Sequence, residues 1–276
     1  MRERSRDAVL VIGFAGVSGG LAPRLIALGY RPISVTDPQA AAARLARDSE
    51  AVHAAIVPSD APFLAPGALW RLTRANGPSS MRVLALGRRE DDGHAERLRR
   101  AGVRFTLWEP YADRELRFAI NRALHDESHG QSRLHARAST DLIARIRLGA
   151  REKAGLVYSL SAHGCYVETD RPCVPDSFVS LHLPLPRGGV ELPARVVYAN
   201  VPGDFARANL PRGMALAFLD VRAPERGAIT DYVSERLGEV GLAPHGDAAV
   251  AKGHMARVWA RVRTMIAPAA GTRATT

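Results

Sequence analysis

Two arginines in a polar stretch of the chain are the residues best suited to hold a charged ligand. Arg133 and Arg137 stand four residues apart, and residues 126–132 before them are polar and lack hydrophobic periodicity. A guanidinium group makes paired hydrogen bonds to phosphate oxygens or to the edge of a guanine, and it also stacks on base planes. The spacing Arg-x-x-x-Arg occurs six times in this chain of 36 arginines, so the pair is informative only together with the segment downstream of it.

A short segment rich in small polar residues begins 22 residues after Arg137. Ser159, Ser161 and Gly164 lie in the sequence SLSAHG, at the end of one short predicted strand and in the turn to the next. A serine hydroxyl offers a small polar group to a ligand, and a glycine permits a positive φ or a close backbone approach. The spacing leaves room for one strand, predicted at 142–148, between the arginine pair and this turn.

The elements that carry these residues are predicted to form a small antiparallel β-barrel. Residues 133–240 contain short segments of alternating apolar and polar residues at intervals of about ten residues. The strands are predicted at 142–148, 155–160, 165–168, 178–183, 190–198 and 213–218. A helix with one apolar face is predicted at 225–237 and closes this domain.

In both motifs and in strand order, this half of the chain resembles the PilZ domain, a small barrel that senses cyclic di-GMP. The family carries Arg-x-x-x-Arg before its first strand and Asp/Asn-x-Ser-x-x-Gly on the turn between its second and third strands. The resemblance implies that cyclic di-GMP is bound by Arg133, Arg137, Ser159, Ser161 and Gly164, and that no other cofactor is needed.

Ser159 departs from the family, because an Asp or Asn at this position accepts hydrogen bonds from the guanine edge. A neutral serine accepts less strongly, and a loss of about 1–3 kcal/mol would weaken binding roughly 5–150-fold. The first alternative is therefore a PilZ-like adaptor that has lost the nucleotide and acts only through protein contacts.

Residues 1–125 predict a different architecture, in which short apolar strands alternate with helices. Strands of this kind are typical of a parallel sheet that is covered on both faces. The strands are predicted at 8–13, 32–35, 51–57, 81–86 and 103–107, and the helices at 20–29, 39–47, 66–75, 91–101 and 113–124. Five such units in about 120 residues predict a flavodoxin-like doubly wound domain. The fold class is thus an α/β domain followed by an all-β domain.

The first domain resembles a response-regulator receiver, both in its element order and in Trp108-Glu109-Pro110-Tyr111 after the fifth strand. The residues of phosphotransfer are absent. Gly13 and Phe14 replace the acidic pair that holds Mg²⁺, Pro58 replaces the phosphoacceptor, Gly87 the hydroxyl residue and Glu109 the lysine. We therefore expect a degenerate receiver without a phosphoacceptor, which serves as a platform for a protein partner or for a homodimer.

The glycines of the first domain also allow a second alternative. Gly13, Gly16 and Gly19 follow a strand and open a helix, and Asp37 comes 18 residues after Gly19. This pattern is similar to the phosphate loop and ribose-binding acid of dinucleotide-binding domains, which would make the protein an NAD(P)-binding oxidoreductase. Neither of the two lysines follows a tyrosine at catalytic spacing, and no nucleophile motif is present. We do not expect an enzyme.

The net charge of +10 does not point to nucleic acid, because it is spread by a general preference for arginine. Residues 1–125 carry +6, residues 126–240 carry zero and residues 241–276 carry +4, with no dense basic block interleaved with aromatics.

The two cysteines are too few for a disulfide scaffold, and the histidines lack metal-ligand spacing. No apolar run is long enough to span a bilayer, so the protein is predicted to be cytoplasmic rather than transmembrane.

The predicted domain organisation follows from these changes in character along the chain. A receiver-like domain occupies 1–125, a linker 126–132 and a PilZ-like domain 133–240. Residues 241–276 combine a basic amphipathic helix with a loose end, and this tail is expected to dock on protein or on an anionic membrane surface.

Overall fold

The computed structural model describes residues 7–14, 20–47, 52–69, 72, 81–125, 136–201 and 209–239. The first part of the chain forms a parallel sheet with helices. Its elements are β1 (Ala8–Ile12), α1 (Leu21–Ala27), β2 (Arg31–Val35), α2 (Pro38–Arg47), β3 (Ala54–Pro58), β4 (Arg82–Gly87), α3 (His94–Ala101), β5 (Phe105–Trp108) and α4 (Asp113–His125). The second part forms a barrel with one helix. Its elements are β6 (Ala138–Ser139), β7 (Ile143–Leu148), β8 (Arg151–Ser161), β9 (Gly164–Glu168), β10 (Phe178–Leu183), β11 (Val190–Asn200), β12 (Gly213–Phe218) and α5 (Ala223–Glu239).

The parallel sheet has the strand order β2-β1-β3-β4-β5, which confirms the predicted flavodoxin-like arrangement. Every residue of β1 is buried, as expected for a strand that is covered on both faces. Asp37 caps α2 through one carboxylate oxygen, which accepts hydrogen bonds of 2.8 Å from the backbone N–H groups of Gln39 and Ala40. Of the helix predicted at 66–75, the structure describes residues 66–69, which form turns, and residue 72.

The second part is a closed antiparallel barrel of six strands in the order β8-β7-β10-β11-β12-β9, closed by pairing between β8 and β9. Buried and exposed residues alternate along β11 over most of its length, since one face of the strand fills the core. β8 and β11 extend further than their sequence patterns predict. β6 pairs with the end of β8 beside the barrel, and the sequence does not predict it because two residues carry no detectable period.

Helix α5 follows the barrel, as predicted, and its buried residues Ile229, Val233 and Leu237 join the barrel core. Both α5 and α4 contact β6, so this short strand lies where the two parts of the chain meet. One hydrophobic cluster runs across the junction. Phe118 of α4 packs edge-on against Tyr158 of β8, with their ring centroids 6.2 Å apart.

Polar contacts reinforce this junction. Arg236 of α5 donates to Glu115 of α4 over 2.7 Å, and the two side chains are only 18% and 9% exposed. Asn121 of α4 donates to the carbonyl oxygen of Asn209 over 3.0 Å, and the Asn209 amide donates to Asp7 over 2.9 Å. The junction is therefore held by a nearly buried ion pair and an amide network as well as by apolar packing.

Candidate functional site

Strand β6 brings the end of the arginine segment to the serine turn. Ser139 of β6 pairs with Ser159 of β8 in the antiparallel register. Arg137 is exposed and comes one residue before β6, so continuation of the register puts it at the level of Ser161. Arg133 lies outside the described residues. The structure thus places four of the five predicted site residues, and it brings Arg137 to the same end of the barrel as the serine turn.

Both predicted serines are buried, and one of them holds the turn. Ser159 is 5% exposed and Ser161 is 2% exposed. The Ser161 hydroxyl donates to the carbonyl oxygen of Gly164 over 3.0 Å, and the backbone N–H of His163 lies 3.5 Å from the same hydroxyl. A ligand that binds Ser161 must therefore share this hydroxyl with the turn or displace its bond.

The φ angle of Gly164 is not in the positive range, so its backbone conformation does not require glycine. The close approach of β12 requires it instead. A Cβ atom at Gly164 would stand 2.3 Å from the carbonyl oxygen of Leu216. Gly213 meets the same restriction at the other end of the β9–β12 pairing, where a Cβ would stand 2.1 Å from the carbonyl oxygen of Val167. The sequence alone allows both explanations for Gly164 and does not single out Gly213 for this role.

The strand register arranges the outer residues of the barrel in two parallel rows. Directly opposed residues on neighbouring strands point to the same side of a sheet. The first row contains Ser139, Ser159, Tyr166, Ala215 and Tyr198 on β6, β8, β9, β12 and β11. The second row, here called the Ser–Arg row, contains Ser161, Gly164, Ala217 and Arg195 on β8, β9, β12 and β11. Between the serines and β11, the middle positions hold Tyr166 and Ala215 in the first row and Gly164 and Ala217 in the second.

An aromatic series lies along the first row and continues to the domain junction. The Tyr166 ring lies 5.9 Å from the Tyr158 ring and 6.1 Å from the Tyr198 ring, measured between centroids. Burial raises the pKa of both Tyr158 and Tyr166 well above the usual tyrosine range, so both stay neutral. Tyr166 donates to the carbonyl oxygen of Pro211 over 2.7 Å, and the Asn121 amide lies 3.5 Å from the Tyr158 hydroxyl. The surface beside the serines is thereby connected to α4.

Apolar and imidazole side chains occupy the carboxyl edge of the parallel sheet, where a receiver would hold its metal. Pro58 ends β3, and the carbonyl oxygen of the next residue, Ser59, lies 3.0 Å from His94 Nε2. His94 Nδ1 accepts from the backbone N–H of Glu90 over 3.1 Å, so Nε2 carries the ring proton and donates. Within the described ranges, no three His, Cys, Asp or Glu side chains are grouped to hold a metal ion.

The residues of the dinucleotide alternative are used in other ways. A Cβ at Gly13 would stand 2.8 Å from the Phe63 ring, so this ring occupies the space beside the first glycine. Hydrogen bonds, first of all from the backbone of Ala40, lower the pKa of Asp37, whose carboxylate caps α2. Gly16 and Gly19 lie outside the described residues. None of these contacts favours a bound nicotinamide nucleotide.

The remaining candidates of the sequence take no part in this site. Cys165 and Cys173 are both buried and unbridged. Burial raises the pKa of the Cys165 thiol to about 12, which keeps it protonated and unreactive. The basic tail at 241–276 lies outside the described residues. Within the part of the chain that the structure describes, no helix is both long and apolar enough to cross a membrane.

Parts of this chain are similar to known PilZ and receiver domains. The family model of the PilZ domain matches residues 131–235. The inhibitor of motility MotI/DgrA of Bacillus subtilis is 23% identical, with a TM-score of 0.34, over 40% of this chain and 53% of its own. The PilZ domain of YcgR from Escherichia coli with c-di-GMP is 15% identical, with a TM-score of 0.33, over 40% of this chain and 94% of its own.

A receiver is also among the similar structures. The receiver domain of a sensor histidine kinase from Pseudomonas aeruginosa is 22% identical, with a TM-score of 0.36, over 44% of this chain and 98% of its own. This chain thus spans about half the length of MotI/DgrA but nearly all of the two isolated domains. No curated protein is significantly similar in sequence. Residues 131–235 thus match the PilZ domain, and the residues before them form a parallel α/β domain.

Proposed function

We propose that the PilZ domain binds cyclic di-GMP between the arginine segment and the serine turn. The observation that carries this proposal is the β6–β8 register, which puts Arg137 at the level of Ser161. Two phosphates and two guanines offer the groups that guanidinium binds best. Because residues 126–240 carry no net charge, the attraction for an anion comes from two individual arginines, Arg133 and Arg137.

Ser139 supports a nucleotide at this site despite the departure at Ser159. The Ser139 hydroxyl is fully buried and has no hydrogen-bond partner among the described residues. A buried hydroxyl without a partner is costly, so a ligand that bonds to it gains free energy on binding. This hydroxyl lies directly opposite Ser159, where the family places its acidic or amide residue.

The adaptor that has lost the nucleotide remains the second candidate. It is favoured by the near-complete burial of Ser159 and by the Ser161 hydroxyl, which already bonds to Gly164. In that case the PilZ domain would act through protein contacts alone.

The receiver-like domain is proposed to transmit the nucleotide signal to a protein partner, without phosphorylation and without catalysis. β6 starts one residue after Arg137 and contacts both α4 and α5. A ligand that binds Arg137 would therefore act on the strand at the domain junction. A homodimer through the receiver-like domain and a cytoplasmic location belong to the same proposal.

Calorimetry with cyclic di-GMP tests the nucleotide proposal. We expect measurable binding, and a loss of roughly 10-fold or more in Arg133→Ala and Arg137→Ala, because each removes charge-assisted hydrogen bonds. Ser159→Asp should bind more tightly, since a carboxylate accepts more strongly than a hydroxyl. Arg145→Ala, an exposed arginine on β7, is the control and should bind like the unmodified chain. Folded protein that gives no heat at tens of micromolar would leave the adaptor as the better proposal.

A further inference from the structure

Most of the large apolar side chains that are exposed in the described part of the chain lie together on the outer wall of the barrel. Seven such side chains are exposed, and four of them belong to β11, to the start of β10 or to the turn before it. Here called the β10–β11 patch, they are Val174, Phe178, Val197 and Tyr198, which are 74%, 68%, 48% and 36% exposed. Single exposed apolar residues are ordinary on protein surfaces, whereas a group of them at one place is typical of an interaction surface.

Backbone pairing joins the two segments that carry the patch. Phe178 pairs directly with Arg195 in the antiparallel register, so the two side chains point to the same side of the wall. A turn over residues 174–177 precedes Phe178, and within it the backbone N–H of Asp176 donates to the carbonyl oxygen of Val196 over 2.8 Å. The turn and the start of β10 therefore lie against the part of β11 that carries the rest of the patch.

An irregularity in β11 turns two successive apolar residues outward. The register with β12 shifts between Val196 and Tyr198, so Val197 is an extra residue on this strand. A bulge of this kind re-aims side chains, and Val197 and Tyr198 are both exposed although they are neighbours in the sequence. Regular alternation would have turned one of the two towards the core. The bulge thus enlarges the apolar part of the outer surface.

The charges beside the patch balance each other. Arg195 Nη1 lies 3.1 Å from Asp176 Oδ1, and the two side chains are 47% and 79% exposed. A two-fold interface uses the same surface on both copies, so a surface with one cation and one anion can face its own copy with opposite charges brought together. The same balanced pair offers no net attraction to the basic tail, because residues 241–276 carry +4.

We propose that the β10–β11 patch is a contact surface between two copies of this chain, with Phe178 at its centre. This contact goes beyond the proposed function, because it needs no nucleotide, and it is separate from a homodimer through the receiver-like domain. Aromatic side chains are enriched in the cores of interfaces, and Phe178 is the most exposed aromatic of the patch. Four side chains form only the centre of an interface whose standard size is about 800 Å² per partner, so we expect weak association, in the micromolar range.

Sedimentation velocity of the full chain without nucleotide, over the micromolar concentration range, tests this proposal, with thermal unfolding as a check on folding. The unmodified chain should self-associate as its concentration rises. Phe178→Glu should weaken self-association roughly 10-fold or more, because it places a charge at the centre of the contact.

Ile143→Glu is the matched control, since Ile143 is 55% exposed on the same barrel wall but lies outside the patch. Ser180 pairs with Arg147, four residues beyond Ile143, and Phe178 lies two residues further, so roughly 20 Å along the strands separate Phe178 from Ile143. Ile143→Glu should therefore associate like the unmodified chain.

A third variant tests the charges beside the patch. Arg195→Glu gives each copy two acidic residues next to Phe178 and should also weaken self-association. Added salt should reverse part of this loss, because it screens the repulsion between the two copies.

The outcomes decide for or against the contact. Weaker association in Phe178→Glu and Arg195→Glu, with unchanged association in Ile143→Glu, supports it. The inference is overturned if the folded unmodified chain stays monomeric at high micromolar concentration, whether the patch is then bare or covered by the tail. It is also overturned if Phe178→Glu or Arg195→Glu associates as strongly as the unmodified chain, since the copies would then meet elsewhere, or if Ile143→Glu weakens association equally. Cyclic di-GMP takes no part in these measurements, so their result leaves the nucleotide proposal to its own test.

Discussion

The ion pair between Glu115 and Arg236 gives the sharpest prediction about how the two domains are joined. Replacement of Arg236 by Met keeps much of the apolar stem but leaves the Glu115 carboxylate, 9% exposed in the intact pair, without its cation. One-sided removal of a buried pair costs about 3–5 kcal/mol. Glu115 keeps one further bond, from the backbone N–H of Ala112 over 2.8 Å. We therefore expect the lower end, a loss of about 3 kcal/mol in the free energy of unfolding.

The same helix offers a matched control for this measurement. Arg187 pairs with Glu235 of α5, one residue before Arg236, but the side chains of this second pair are 71% and 53% exposed. Arg187→Met should cost at most about 1 kcal/mol, because exposed pairs are screened by water. The double variant Glu115→Leu/Arg236→Met should regain much of the loss, since it leaves no buried charge without a partner.

Urea unfolding followed by circular dichroism measures these differences, and hydrogen exchange locates them. In Arg236→Met we expect faster exchange in α4 and α5, and separate transitions for the two domains if their coupling is lost. The reasoning is refuted if Arg236→Met loses no more stability than Arg187→Met, or if the double variant is as unstable as the single one.

Three further predictions concern a pair of glycines, a buried cysteine and the phosphoacceptor position. Gly164→Ala should destabilise the fold by about 1–3 kcal/mol, because its Cβ would meet the Leu216 carbonyl oxygen at 2.3 Å. Gly227→Ala in α5 has open space and should instead stabilise by about 0.5–1 kcal/mol. Equal urea midpoints for the two variants would contradict this explanation. Cys165 should be alkylated by iodoacetamide at pH 8 only when the protein unfolds, as peptide mass spectrometry would show, since burial raises its pKa to about 12. Incubation with acetyl phosphate and Mg²⁺ should leave the intact mass unchanged, because Pro58 stands at the phosphoacceptor position; an added phosphoryl group would show that another residue accepts it.

The sequence predicted the elements whose hydrophobic pattern extends over enough residues to be recognised. The βα units of the first domain and the six strands of the barrel have apolar runs or alternations of four residues or more. The fold class follows from them because a parallel sheet needs two apolar faces and a barrel strand needs one. β6 could not be found in this way, since Ala138 and Ser139 are too few to show a period.

The candidate site was predicted only in part. The resemblance to the PilZ domain named five residues, and their roles as ligand contacts stay predictions: Arg133, Arg137, Ser159, Ser161 and Gly164. The sequence offered no signal for Ser139, because its neighbours are set by strand register. Ser139 is 20 residues from Ser159, and only the pairing of β6 with β8 brings the two together.

The sequence by itself determined two domains of different class, the arginine and serine motifs and the missing phosphotransfer residues. These depend on residue type and local spacing, which the chain carries directly. The tertiary structure alone decided how the domains meet, since Asp7 and Asn209 are 202 residues apart and bond through side chains on separate parts of the chain. It also decided why Gly164 is a glycine. The close approach of β12 to Gly164 depends on the pairing of β9 with β12, which long-range contacts fix and local pattern does not.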